Sequence, residues 1–161
     1  MVNSLEILLG EGLEQIKFGM TMSQVKKILG EPDETEKYQF SEDESDITEA
    51  WHYDAYGFSL SFDQENDWLV GSIAVSQTPC KLHDIDIMDM AKEKLLETLI
   101  SMEIKDLEVE EAVEVDDDFV MEIVYSPEEN ICFFLESNKV SEVKWSPRWA
   151  DTEILEWPTE N

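Results

Sequence analysis

Basic residues are scarce in this chain: 11 Lys+Arg stand against 39 Asp+Glu in 161 residues, a formal net charge of −28. Such a field repels phosphate backbones and anionic headgroups, so it argues against direct binding to nucleic acid or to an anionic membrane surface. A basic protein is the partner it would steer in, although solubility or a salt-rich habitat accounts for the same charge. Histidine is rarer still, with only His52 and His83 to serve as a general base. Cysteine is limited to Cys80 and Cys132, without CxxC spacing, which leaves two reduced thiols rather than a redox or metal pair. No apolar run approaches the ~20 residues of a membrane span, and Met1 to Leu9 has no basic n-region, apolar core or cleavage site. A cytoplasmic protein is expected. GxSxG, HExxH, P-loop and Rossmann fingerprints are missing as well, so the chain reads as a non-enzyme with no catalytic residue, cofactor or metal assigned.

What is present is enough to fold. A hydrophobic content of 42%, with 10% aromatic residues, is too high for a disordered acidic chain, and residues 1–161 suffice for a single domain. The most informative stretch is IKFGMTMSQVKKILGEPD, residues 16–33. Thr21 suits an N-cap, with Gln24 reaching back in a capping box and Met20 and Val25 in staple positions. Val25, Ile28 and Leu29 form one apolar face, Lys26 and Lys27 oppose the negative end of the helix dipole, and Gly30 and Pro32 stop the helix.

Downstream, period-2 alternation predicts strands at residues 48–53, 58–62 and 68–75, with Trp51, Tyr53, Phe58, Leu60, Phe62, Ile73 and Val75 inward. The acidic run of residues 42–46 reads as a solvated loop. Asp86 suits the cap of a second helix over residues 87–102, with Met88, Ala91, Leu95, Leu96 and Leu99 on one face. Further strands are predicted at residues 107–115, broken near Ala112, and at 119–125, 131–136 and 139–145, followed by a Trp-rich tail over residues 147–161. Inward positions match in order between residues 16–77 and 84–146. The expected fold is therefore α+β, built of two helix-plus-antiparallel-sheet halves in tandem.

The segments Ile16-Lys-Phe-Gly-Met-Thr21, Gln24-Val25, Leu29-Gly30, Pro32-Asp33, Gly57-Phe-Ser-Leu-Ser-Phe62 and Ile73-Ala-Val75 resemble the repeat shared by β-lactamase inhibitor proteins and the small lipoprotein of the outer-membrane barrel assembly machinery. Similar segments occur in immunity proteins of polymorphic toxin systems. The resemblance implies helices packed on an antiparallel sheet and a habit of binding other proteins without catalysis. Its motif residues are structural, so it transfers no functional residue. The expected function is a small acidic inhibitor, and in its specific form an immunity protein that neutralises a bacterial toxin. A structural or assembly adaptor is the alternative, and an unrecognised hydrolase is third.

Clusters of chemically capable residues divide on their detail. His83-Asp84-Ile-Asp86 with Asp89 has the residue types of a metal site, but a linker ending in an acidic helix start explains it better. Asp63 to Asp67 fails as a calcium loop, because Trp68 stands where glycine is needed and Ala74 where a bidentate Glu is needed. If Phe119, Met121, Ile123 and Tyr125 face inward, then Val120, Glu122 and Val124 face outward beside Cys132, Phe134 and Glu136. The expected partner-binding residues are accordingly Val120, Glu122, Val124, Phe134 and Glu136, an apolar patch rimmed by acids. The same patch is equally suited to being covered by the tail, from Trp149 to Trp157.

Overall fold

The capped helix forms as its sequence requires. In the computed structural model, which describes residues 5–39, 42, 47–76, 80–104, 106–116, 119–149 and 155–157, α1 spans Met22–Leu29. Thr21 Oγ1 accepts from the Gln24 amide at 3.2 Å and Gln24 Oε1 accepts from the Thr21 amide at 2.9 Å, closing the capping box. Val25 points into the core, and Gly30 ends the helix at φ +83°, its amide donating to the Lys26 carbonyl.

Strand dominates the rest of the chain. β1 (Leu5–Glu6) precedes α1; after it come β2 (Glu34–Gln39), β3 (Ile47–Tyr53), β4 (Phe58–Asp63) and β5 (Leu69–Val75). The acidic loop expected over residues 42–46 lies outside the described residues apart from residue 42. The short β6 (Cys80–Leu82) and β7 (Ile85–Asp86) lead to α2 (Lys92–Ser101). Then come β8 (Glu108–Asp116), β9 (Phe119–Ser126), β10 (Ile131–Glu136) and β11 (Lys139–Trp145), and finally β12 (Arg148–Trp149) and β13 (Leu155–Glu156). β1 pairs in parallel with β6, which pairs with β7.

Eight strands form one antiparallel sheet in the order β2-β3-β4-β5-β11-β10-β9-β8. This corrects the expected α+β architecture of two helix-plus-sheet halves: the fold is mostly β, with two helices against one large sheet. The reason lies in β5 and β11. Each would be a bare edge in a smaller sheet, with a row of unpaired amides and carbonyls. They pair with one another instead, Val75 opposite Val143, Ala74 opposite Lys144 and Ile73 opposite Trp145.

One face of the sheet carries the core. Trp51, Tyr53, Phe58, Leu60, Phe62, Ile73 and Val75 lie on it, and so do Ile131, Phe133, Leu135, Val143 and Trp145. Val25 of α1 and Leu95 and Leu99 of α2 join the same cluster, as do Leu5, Ile7, Leu13, Ile16 and Phe18 from the N-terminal segment. Both helices therefore sit on this inner face. Gly12 allows the N-terminal turn to close: at φ +122° a β-carbon there would lie 2.4 Å from the Ile16 carbonyl oxygen.

The second helix begins later than predicted. Asp86 does not cap it; its Oδ1 accepts from the amides of Cys80 and Met88, both at 3.1 Å, and so ties the β6–β7 hairpin. His83 and Asp84 form that hairpin's turn at φ +49° and +66°, the left-handed pair that a tight two-residue turn demands. The actual N-cap is Ala91, without a side-chain bond, and the helix start is held instead by the Lys92 amide donating to the Asn138 carbonyl. Among the described residues, no helix is long and apolar enough to cross a membrane.

Candidate docking face

The register of β9 decides which side chains share the outer face. Val124 pairs with Phe133, Glu122 with Leu135 and Ser126 with Ile131, and all three partners are buried on the inner face. Val124 is fully buried and Glu122 faces inward, where it pairs with Lys92. The expected assignment of β9 is thus inverted for Val124 and Glu122. The side chain of Val120 lies outside the described residues. Phe134 and Glu136 do lie outward, with Phe134 half-buried and Glu136 exposed.

The inversion has a plain cause. Phe119, Met121, Ile123 and Tyr125 are apolar at one parity and Val120 and Val124 at the other, so alternation alone does not choose. Counting back across the turn does choose. Residues 127–130 form that turn, Ile131 is inward, and so its partner Ser126 and then Val124 must be inward too. Ser126 is buried, its Oγ accepting from the Glu129 amide at 3.2 Å.

The outer face of this region therefore presents Met121, Ile123 and Tyr125 from β9 and Cys132 and Phe134 from β10, all half-buried. From β11, Glu142 stands opposite Phe134 and Lys144 opposite Cys132; from β8, Glu108 stands opposite Tyr125 and Glu110 opposite Ile123. Burial pushes the Glu142 carboxyl above the usual range, with the Lys144 ammonium opposing the shift and Glu136 adding to it. Burial foremost also raises the Cys132 thiol to about 11, and that of Cys80 to about 12, so neither is a reactive thiolate at neutral pH. The tail does not share this face at Trp157, which packs against the core beside Gly19, while Trp149 is exposed.

Across the sheet the same face turns polar. His52 Nδ1 lies 2.6 Å from Ser59 Oγ and Nε2 lies 3.0 Å from Glu36 Oε1, while the Tyr38 hydroxyl donates to Glu36 Oε2 at 2.5 Å. The Tyr38 hydrogen bond, ahead of the His52 contacts, holds the Glu36 carboxyl below its ordinary range. Ser59 also borders a hollow of about 260 Å³ lined by Tyr53, Asp54, Gly57, Phe58 and Ser76. A larger cleft of about 430 Å³ lies elsewhere, floored by Ile7, Leu9, Met102 and Ile104. At its rim Arg148 is tied to Glu129 Oε2 through Nε at 3.2 Å and a terminal nitrogen at 2.9 Å.

A family model described as a domain of unknown function (DUF7738) matches residues 12–97, just over half of the chain. That span runs from the N-terminal turn into α2 and stops short of β8–β11. No curated protein and no solved structure matches the chain.

Proposed function

The chain belongs to the DUF7738 family, and for it we propose a small, non-catalytic protein that binds and inhibits a basic protein partner. The observation that carries this reading is the outer face of β9–β11: five half-buried apolar side chains, ringed by Glu108, Glu110, Glu136 and Glu142, with neither helix lying over them. Apolar contacts at the centre with charges at the rim are the anatomy of a protein-docking surface. The net charge of −28 supplies long-range attraction to a basic partner.

In the most specific form of this reading, the chain is an immunity protein acting in bacterial cytoplasm, and its partner is a basic toxin. The resemblance of residues 16–33 and 57–75 to inhibitor and immunity proteins supports that form. The test is stopped-flow or surface-based kinetics against a basic toxin encoded beside it, over a salt series. Salt should slow association far more than it speeds dissociation, because a Debye length is only ~8 Å at physiological ionic strength. An association rate indifferent to salt would remove the steering argument.

A second reading, hydrolysis, has the Ser59–His52–Glu36 chain in its favour. Its nucleophile would be Ser59, with His52 taking the hydroxyl proton and Glu36 orienting the imidazole. Covalent labelling of Ser59 by a fluorophosphonate, lost in His52→Ala, would favour it over the docking reading.

A further inference from the structure

We propose that the outer sheet face receives an arginine side chain of a protein partner, with Glu142 as the carboxylate anchor and Phe134 as the ring beside it. The proposal rests on the docking reading and names the contact at its centre.

Glu142 on β11 is directly opposite Phe134 on β10, a separation of roughly 5 Å between side-chain origins. A glutamate on an open strand face ordinarily turns its carboxylate into water. This one is half-buried, and among the described residues no hydrogen bond or ion pair closes on it. Lys144, two residues along the same face, lowers the carboxyl's affinity for protons without forming an ion pair. Glu136 and Glu110 add further negative charge around the patch, and Cys132, the next outward residue before Phe134 on β10, is a neutral thiol. The free protein thus holds a poorly solvated anion in an apolar setting, at a cost to its own stability. A cation brought by a partner would relieve that cost on binding.

The site favours guanidinium over ammonium. A guanidinium is planar and weakly hydrated, forks onto a carboxylate with two parallel bonds and lies flat against an aromatic ring. Glu142 supplies the carboxylate and Phe134 the ring. An ammonium is a strongly hydrated point charge and loses more on entering an apolar patch.

Three capped tripeptides test this: Leu-Arg-Leu, Leu-Lys-Leu and Leu-citrulline-Leu, titrated into the protein by NMR. The arginine peptide should shift amide signals of β10 and β11 and bind roughly five- to tenfold more tightly than the lysine peptide, with citrulline weakest. It should also lower the titration midpoint of the Glu142 side-chain carboxyl. Glu142→Gln should abolish the preference for arginine, whereas Glu136→Gln should keep it. Equal binding of arginine and lysine peptides, weakened alike by both substitutions, would reduce the effect to diffuse attraction and overturn the proposal. Partner binding that is impaired by Phe134→Ala but unchanged by Glu142→Gln would also overturn it, while leaving the docking reading intact.

Discussion

Lys92, the first residue of α2, reaches Glu122 on the inner face of β9, Nζ to Oε2 at 2.5 Å, with both side chains only 20% exposed. The pair fastens the helix to the sheet at a point where Ala91 offers no side-chain cap. Because the two charges are mostly screened from water, removing one strands the other. Lys92→Met should therefore destabilise the protein by about 1–3 kcal/mol, and adding Glu122→Leu should recover part of that loss. Urea denaturation of the two single variants and the double variant measures the coupling.

At α1, Thr21→Ala should cost ~1 kcal/mol by deleting one half of the capping box. Gly30→Val should cost at least as much, and for a different reason. A β-carbon at Gly30 meets nothing nearby, so only the positive φ penalises the substitution. Thermal melts that left both variants unchanged would show that neither end of this helix contributes to stability through its cap.

Val124 and Phe134 should separate core from surface. Val124 is fully buried among inner-face side chains, so Val124→Ala should cost roughly 1–3 kcal/mol of stability. Phe134→Ala should cost less stability and act on partner dissociation instead. Melts and dissociation rates measured on both variants would show the opposite pattern if Val124 faced the partner.

Legibility follows how many sequence signals agree. Thr21, Gln24 and Gly30 each specify the same helix, and β4 alternates without exception as Phe58-Ser-Leu-Ser-Phe62, so both are readable. β2 escapes a reading by alternation because it has no buried side chain; its residues are exposed apart from half-buried Glu36, and pairing with β3 alone makes it a strand. The start of α2 is misleading because Asp86 has the chemistry of a cap and spends it on a hairpin. β9 offers apolar residues at both parities, and its face is chosen by partners on the neighbouring strands. Glu142 is hidden for a related reason: its importance comes from burial between strands, which no local pattern encodes.

Glu142 and Glu36 should respond to pH in opposite senses. A carboxyl whose folded-state affinity for protons is raised adds stability below its unfolded pKa and loses it as pH climbs through the folded value. Glu142→Gln should therefore stabilise the protein at neutral pH, with the advantage fading as pH falls below the folded value. Glu36 is lowered, so its contribution is present above the ordinary carboxylate range and disappears on acidification through its folded value. Denaturant midpoints for Glu142→Gln and Glu36→Gln across pH 3–8 would expose the two slopes; parallel profiles would contradict the assignment.

The junction of β5 and β11 has a mechanical consequence. Among the described residues its ladder registers three residue pairs, Ile73 to Val75 against Val143 to Trp145, whereas each of the other neighbouring pairs in the sheet registers six. Under load a sheet yields where fewest rungs share the strain, so this seam is its compliant line. The apolar patch lies wholly on one side of it and the Ser59–His52–Glu36 chain on the other. Bending at the seam would change the curvature between the two surfaces, which would let a single sheet conform to a partner broader than either patch.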